Sequence, residues 1–248
     1  PYIERSIANV GAEELGIGCD ASIADFGGST KAGTTAMQSC IDAINSGRAS
    51  YGMVIASDCQ VGRPGDLLEH SLGAGAAAYI IGKDKAIAEI ESLHSYSNSY
   101  GSTWRNAGDH FIKRHDDVRA DRAFGYLRQT VKAAKELMEK LGRKGADYDY
   151  AAVHHPDGRL PTMVGRSLGV KPEIVAKSSV VPYCGDTGCS SALLGLALAL
   201  DSAKAGDKIL VVSYGSGAGS DAVSLKVLDQ IEEKRQNAVP VKHYLDMK

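Results

Sequence analysis

Polar side chains with acid–base chemistry stand where predicted strands end. His154 directly follows the strand-like run Tyr148–Val153, and His155 comes next. Open α/β sheets place their sites at the carboxyl ends of strands, so we expect the imidazole of His154 to lie in a pocket. The alternative is a strand-end histidine whose ring bonds only to backbone. His155 is expected to be a neighbour rather than a participant.

Cys189 offers a nucleophile in a second segment, at the start of a predicted helix. It lies in DTGCSS, just before the run Ser191–Ala203, which is so rich in Ala and Leu that we expect a helix buried on most sides. The N-terminus of a helix stabilises a thiolate, so Cys189 could act as a nucleophile. The alternative is a small buried side chain without a chemical role.

A glycine-rich segment, YGSGAGSDA, follows the predicted strand Lys208–Tyr214. A dinucleotide-binding loop would be followed by a helix and by an acidic residue about 20 positions later, whereas the alternating run Ala222–Val227 predicts a second strand. Two interpretations remain for the residues of this turn, Gly215, Ser216, Gly217 and Gly219. Their backbone packs tightly, or it lines a pocket and offers N–H groups to a substrate oxygen.

Strand-like and helix-like segments alternate along the chain. The strand candidates are Tyr51–Ser57, Gly75–Gly82, Ile87–Leu93, Tyr148–Val153, Lys208–Tyr214 and Ala222–Val227. The helix candidates, with apolar residues every three or four positions, are Gly33–Ile44, Phe124–Leu141, Leu160–Leu168 and Ser191–Ala203. Tyr51–Ser57 is almost fully apolar, which predicts a strand covered on both faces. The polar stretch Ser95–Asp121 predicts a long irregular connection.

This alternation predicts an α/β protein with a mainly parallel, covered sheet. A helix, a buried strand, a Gly-rich turn and a second strand occur in that order twice, at Gly33–Gly82 and at Ser191–Val227. The repeated order indicates a duplicated architecture.

The composition excludes several classes of function. The 248 residues carry 28 Lys and Arg against 30 Asp and Glu, a formal net charge of −2, whereas nucleic-acid and anionic-membrane surfaces need clustered positive charge. No apolar run approaches the roughly 20 residues of a membrane helix. The five Cys residues are odd in number and lack metal-ligand spacing. We therefore predict a cytoplasmic protein without a disulfide framework or a metal site.

Several segments together resemble archaeal-type 3-hydroxy-3-methylglutaryl-CoA synthases, which are relatives of ketoacyl synthase III in the thiolase superfamily. In that family the nucleophile lies in a segment like A-D-x-x-x-x-C-K-A-G-T-x-A, and this chain has ADFGGSTKAGTTA at Ala24–Ala36 without a gap. The resemblance continues through Ala56–Gly82, Tyr150–Pro161 and Pro182–Ala222, in order and with consistent spacing.

The resemblance implies a thiolase fold, a duplicated five-layered α/β/α/β/α architecture with the active site between two similar halves. We expect residues 1–118 to form the remainder of the N-terminal half with its connecting loop, and residues 119–248 to form the C-terminal half. The resemblance also implies a further N-terminal segment, with the first strands and a general-base glutamate, that is missing from this chain.

The resemblance assigns roles to three positions. Thr30 stands where the family has its nucleophilic Cys. A hydroxyl has a pKa far above that of a thiol, and a helix N-terminus stabilises the ionised form by only about 0.3–2 kcal/mol. We therefore expect Thr30 to cap the following helix rather than to carry an acyl group. His154 matches the histidine that hydrogen-bonds the thioester oxygen and assists proton transfer. Asp186 matches an asparagine that donates to the same oxygen, which an ionised carboxylate cannot do.

Three functions are compatible with these residues. The first is a subunit of an acyl-CoA condensing (Claisen-type) acyltransferase with an impaired or absent nucleophile. The second is a non-catalytic structural partner of an active thiolase and a small zinc-ribbon/OB-fold protein, similar to the cysteine-less synthase-like subunit of diacetylphloroglucinol-type acyltransferase complexes. The third is a thioester hydrolase in which Asp186 or His154 activates water.

The resemblance also implies the ligand and the assembly. We expect a coenzyme A thioester as substrate and no bound cofactor or metal. Arg63, Arg105 and Lys113 are candidates for contacts with coenzyme A by charge and loop position, and solvated surface is the alternative for each. We expect a homo- or heterodimer formed through the N-terminal half.

Overall fold

The structure, a computed structural model, describes residues 4–115 and 117–247. The helices are α1 (Ile7–Glu14), α2 (Ala32–Asn45), α3 (Val118–Phe124), α4 (Tyr126–Lys140), α5 (Leu160–Leu168), α6 (Pro172–Ala176), α7 (Val181–Cys184), α8 (Ser191–Leu200), α9 (Gln230–Arg235) and α10 (Val241–Leu245). The strands are β1 (Tyr51–Cys59), β2 (Ala74–Gly82), β3 (Ala88–Tyr96), β4 (Thr103–Trp104), β5 (Lys113–Arg114), β6 (Tyr150–Val153), β7 (Lys208–Gly215) and β8 (Gly219–Val227). Within this part of the chain no helix is both long and apolar enough to span a membrane.

The central sheet has the strand order β3–β8–β7–β6. Of its three strand pairs, only β6 and β7 run parallel, and β8 is antiparallel to both of its neighbours. The prediction of a mainly parallel sheet is therefore wrong. The reason lies in the short turn Gly215–Gly219, because strands joined by a tight turn run antiparallel, whereas parallel strands need a longer crossover.

Helices cover both faces of the central sheet. On one face, one core cluster contains Leu137 of α4, Val164 of α5 and Val153 of β6. On the other face α8 places Leu196 and Ala199 against the strands. The prediction that α8 is a buried helix is confirmed, because its Ala and Leu side chains fill the space between the central sheet and β2.

Helix α2 packs beside the start of α8 and lies against β1. A Cβ on Gly33 would lie 2.8 Å from the carbonyl oxygen of Cys189 and 3.0 Å from Leu193. Only a residue without a side chain permits this approach. The order helix, strand, strand thus occurs twice, as α2–β1–β2 and as α8–β7–β8, and the two helices lie together between the two sheets.

The sheet formed by β1 and β2 is covered on one face and exposed on the other. Val54 and Ala56 are buried against α2, whereas Met53, Ile55 and Ile80 are 41%, 52% and 76% exposed. The prediction that the strand at Tyr51–Ser57 is covered on both faces is therefore wrong for the described residues. Its apolar composition does indicate two buried faces, but the described residues supply a cover for only one of them.

The connection at Ser95–Asp121 is largely irregular, as predicted, and includes the two-residue strands β4 and β5. The predicted helix Phe124–Leu141 is interrupted at Gly125, which separates α3 from α4. The division of the chain at residue 118 stays a prediction. Strand β3 precedes that boundary and yet pairs with β8, in the sheet of the second half.

Candidate functional site

Thr30 lies in the turn that leads into α2. Its Oγ1 donates a hydrogen bond of 2.7 Å to the carbonyl oxygen of Tyr214, at the end of β7. The residue that precedes α2 is Lys31, and no side chain caps the helix, so the expectation that Thr30 acts as a cap is wrong. A backbone carbonyl accepts a hydrogen bond but is too weak a base to deprotonate a hydroxyl, so this contact does not activate Thr30 as a nucleophile.

A buried polar cluster, which we call the Lys31–Asp221 cluster, fixes this turn to β7 and β8. Lys31 Nζ lies 2.7 Å from Asp221 Oδ1, and Thr34 Oγ1 donates to Asp221 Oδ2 at 2.7 Å. Thr34 Oγ1 also lies 2.7 Å from Ser213 Oγ. The carboxylate of Asp221 is almost fully buried, with 3% of its side chain exposed. These bonds hold the N-terminus of α2 against the hairpin of β7 and β8.

The glycines of the β7–β8 turn permit close packing. A Cβ on Gly215 would lie 2.0 Å from Ser29 Oγ, and a Cβ on Gly219 would lie 1.9 Å from the carbonyl oxygen of Tyr96. The N–H of Gly217 donates to Tyr100 O at 3.0 Å. These contacts favour the interpretation of tight backbone packing.

Ser216, in the same turn, holds the connection that follows β3. Its Oγ accepts a hydrogen bond from the N–H of Thr103 at 2.9 Å and donates one to the carbonyl oxygen of Thr103 at 2.7 Å. The hydroxyl proton of Ser216 and the N–H of Gly217 are therefore both engaged with protein atoms. A substrate-binding role for Gly215, Ser216, Gly217 and Gly219 stays a prediction.

His154 continues β6, because its N–H donates to the carbonyl oxygen of Val212 at 2.7 Å. Two aromatic side chains surround it. The Tyr214 ring meets the His154 ring edge-on with centroids 6.2 Å apart, and Tyr126 Oη donates to the His154 carbonyl oxygen at 2.5 Å. Burial raises the pKa of both tyrosines, so both phenols stay neutral at physiological pH.

Asp186 is the polar partner of His154. Its Oδ1 and Oδ2 lie 3.3 and 3.4 Å from His154 Nε2. Oδ1 also accepts a hydrogen bond of 2.9 Å from the N–H of Gly188. The two side chains are buried, with 2% of His154 and 6% of Asp186 exposed. The sequence places these residues 32 positions apart, and the structure joins them as one acid–base pair.

His155 is a buried histidine with neither ring nitrogen hydrogen-bonded among the described residues. Burial, and then the neighbouring His154, lower its pKa to about 4. Its ring is therefore neutral at physiological pH. Its backbone N–H donates to Ser191 Oγ at 3.0 Å, which connects the end of β6 to the start of α8.

Cys189 is less suited to a nucleophilic role than its sequence position indicates. Burial and the carboxylate of Asp58 raise the pKa of its thiol to about 11. The thiol donates to the carbonyl oxygen of Ser57 at 3.4 Å. It lies in the 3₁₀ turn Gly188–Ser190, ahead of α8. The expected stabilisation of a thiolate by the helix N-terminus is outweighed here by burial and by the nearby negative charge.

The three basic candidates for coenzyme A contacts are exposed: Arg63, Arg105 and Lys113. Lys113 pairs with Asp109 at 2.8 Å. Among the described residues no group of three or more His, Cys, Asp and Glu side chains is placed to hold a metal ion.

The sequence analysis missed the Lys31–Asp221 cluster and the two tyrosines beside His154. One signal was available, because Asp221 directly precedes the predicted strand Ala222–Val227, and a buried polar side chain needs a partner. Nothing in the sequence indicated that Lys31 is that partner.

Two segments distant in sequence contact Tyr214, through Thr30 and His154, and a third reaches His154 through Asp186. They supply a hydroxyl at position 30, the imidazole of His154 and the carboxylate of Asp186. The acid–base pair and the turn before α2 thus both adjoin Tyr214. The arrangement does not offer a thiol at the start of α2.

Comparison with known proteins places the chain among acyl-condensing enzymes. Residues 138–227 match the family described as 3-oxoacyl-[acyl-carrier-protein (ACP)] synthase III C terminal. Hydroxymethylglutaryl-CoA synthase of Methanopyrus kandleri is 43% identical over 246 residues, which cover 99% of this chain and 70% of the relative. The protein of the same name from Methanocaldococcus jannaschii is 39% identical over 248 residues, which cover 100% of this chain and 71% of the relative.

Solved structures show the same fold at low sequence identity. An HMG-CoA synthase complexed with CoA superimposes with a TM-score of 0.81 at 20% identity, over 98% of this chain and 68% of that one. PksG, an HMG-CoA synthase from Bacillus subtilis, gives 0.83 at 22% identity, over 100% and 65%. The predicted α/β fold of the thiolase and ketoacyl synthase III type is confirmed.

Proposed function

The chain belongs to the hydroxymethylglutaryl-CoA synthase family, and on this premise we propose that it is a subunit of an acyl-CoA condensing acyltransferase whose own position 30 does not carry the acyl group. The condensing, acyltransferase type of function follows from the family. The impaired nucleophile and the status as a subunit are the proposal.

The contacts of positions 30 and 154 with Tyr214, and of position 186 with His154, are the observation that carries the proposal. A family site needs a helix N-terminus facing a histidine, so that an acyl group held at one is within reach of the other. Here the turn before α2 is bonded to Tyr214, whose ring contacts His154. These contacts support an acyl-transfer site at this position, although the side chain at position 30 is a hydroxyl.

The bonds made by these side chains support the impaired nucleophile. The hydroxyl of Thr30 is engaged with a carbonyl oxygen rather than with a base. The thiol of Cys189 has a pKa of about 11, so only about one thiol in ten thousand is ionised at pH 7. Asp186 is bonded to His154 and, as a carboxylate, cannot donate a hydrogen bond to a thioester oxygen.

The outward face of the β1–β2 sheet supports membership of a larger assembly. This face carries no charged side chain: it consists of Tyr51, Met53, Ile55, Ser57, Cys59, Ala74, Ala76, Ala78 and Ile80. Exposed apolar faces of this kind mark interfaces or aggregation sites. We propose that further polypeptide covers it, either the N-terminal segment that the resemblance implies or a partner chain, in a homo- or heterodimer or in a complex with a thiolase and a zinc-ribbon/OB-fold protein.

The experiment is calorimetric titration with acetyl-CoA followed by intact-mass measurement of the mixture. We expect binding without an acetyl adduct on the natural protein. Thr30→Cys should gain one acetyl group, because a thiol at the start of α2 is favoured as a thiolate. Ser39→Cys, in the middle of the same helix, is the matched control and should gain none.

Two results would count against the proposal. An acetyl adduct on Thr30 of the natural protein would show that its nucleophile is intact. A lack of acetyl-CoA binding would remove the acyltransferase function from this chain altogether.

A further inference from the structure

The His154 ring presents one bonded and one unbonded nitrogen. Nε2 faces the Asp186 carboxylate at 3.3 and 3.4 Å. Nδ1 is buried and finds no hydrogen-bond partner among the described residues. A buried polar atom without a partner is unfavourable, so a site that retains one is a candidate for a functional role.

The carboxylate determines which nitrogen can act as a base. An ionised carboxylate only accepts hydrogen bonds, so the neutral ring carries its proton on Nε2. The lone pair then lies on Nδ1. A histidine held in one tautomer by a carboxylate, with its other nitrogen free, is the arrangement that activates nucleophiles in catalytic triads. Asp186 is therefore a positioning residue, and His154 is the base.

Other buried polar atoms without partners lie on the same two segments. They are Nδ1 and Nε2 of His155 and Oγ1 of Thr187. The neutral ring of His155 supplies one hydrogen-bond donor and one acceptor, and the hydroxyl of Thr187 can donate or accept a hydrogen bond. Buried polar atoms of this kind are the groups that bond to buried water.

Thr30 is unsuited to act as the nucleophile beside His154. The proton of Thr30 is donated to the carbonyl oxygen of Tyr214, which leaves the base without a hydroxyl proton to take. Direct attack by water forms no covalent intermediate on the protein, so it does not require a thiol at position 30.

We propose that the His154–Asp186 pair activates a water molecule at His154 Nδ1, and that this water hydrolyses an acyl-CoA thioester bound at the site. His154 Nδ1 takes a proton from the water as its oxygen bonds to the thioester carbonyl carbon. The carbon–sulfur bond then breaks, and the proton passes from Nδ1 to the sulfur of coenzyme A. The products are coenzyme A and a carboxylic acid, which ionises in solvent. The inference rests on the proposed binding of acyl-CoA.

The test measures free coenzyme A released from acetyl-CoA by chromatography, next to acetyl-CoA binding by calorimetry. We expect release above the buffer rate from the natural protein. His154→Ala should lower kcat by about 100-fold or more. Asp186→Asn, which preserves shape, should lower kcat strongly with the dissociation constant unchanged, because it removes the carboxylate that fixes the tautomer. His243→Asn, on exposed α10, is the matched control and should behave as the natural protein.

The outcomes separate this inference from the proposed function. Binding of acetyl-CoA without release, or equal release by His154→Ala, would overturn the hydrolysis and leave the proposed function standing. No binding at all would remove both. Thr30→Ala should retain release. If Thr30→Ala stops release and the natural protein carries acetyl on Thr30, the attack by water is overturned.

Discussion

The ion pair of Lys31 and Asp221 gives the sharpest test of how the site is held together. We consider Lys31→Met, which keeps the length of the side chain and removes its ammonium group. In the natural protein Lys31 Nζ lies 2.7 Å from Asp221 Oδ1, and the two side chains are 14% and 3% exposed. The substitution leaves the Asp221 carboxylate buried, with the hydroxyl of Thr34 as its remaining side-chain partner.

The size of the effect follows from the burial. Removing one partner of a buried ion pair costs about 3–5 kcal/mol, because the other charge stays buried and uncompensated. Replacing both charges, in Lys31→Met with Asp221→Leu, should cost less than Lys31→Met alone, since a buried pair and an apolar pair of similar volume are close in energy. The matched control is Lys132→Met. Lys132 is 49% exposed and pairs with Glu136, and exposed pairs contribute at most about 1 kcal/mol.

The assay is urea denaturation of the purified proteins, with the free energy of unfolding compared between variants. The same proteins are titrated with acetyl-CoA, because the cluster also positions the turn that holds Thr30. We expect Lys31→Met to lower the free energy of unfolding well beyond the control and to weaken binding. If Lys31→Met and Lys132→Met lose the same small amount, the cluster does not hold α2 against the β7–β8 hairpin and our account of the site is wrong.

Three further predictions concern backbone packing, thiol reactivity and pH. Gly219→Ala should lower the urea midpoint by an amount equivalent to more than about 1 kcal/mol, because φ is +98° and the new Cβ would lie 1.9 Å from a carbonyl oxygen. Gly158→Ala is the control and should leave the midpoint unchanged, because no atom lies within 4 Å of the new Cβ. With iodoacetamide at pH 8, peptide mass spectrometry should find exposed Cys19 labelled well before Cys189, because a pKa of about 11 leaves only about one Cys189 thiol in a thousand as thiolate. Raising the pH should accelerate the labelling of Cys189. Equal labelling rates for the two residues would contradict the burial argument. A hydrogen bond from Arg143 lowers the pKa of Glu91, so the contribution of Glu91 to stability is present above its ordinary pKa of about 4.3 and is lost as the pH falls through the lower folded value. In a plot of the urea midpoint against pH, Glu91→Gln should therefore be flatter over this range. An unchanged slope would refute the assignment.

The sequence by itself determined most of the local structure. Apolar periodicity predicted α2, α5 and α8 and the strands β1, β2, β7 and β8 within a few residues. Periodicity reports which faces of a segment are apolar, and that property is local. The gapless match around Thr30 likewise identified the position where a nucleophile would stand, although the identity of a residue does not reveal its hydrogen-bond partner.

Tertiary structure decided the directions of the strands and the partners of the polar side chains. Thr30 bonds to a carbonyl oxygen 184 positions away, and Lys31 pairs with a carboxylate 190 positions away. Such partners depend on how the two α–β–β units dock, which no local pattern encodes. The same holds for Asp186. As a residue type it indicated only a lost hydrogen-bond donor, and its contact with His154 turned it into one half of an acid–base pair, because an imidazole beside a carboxylate differs chemically from either group alone.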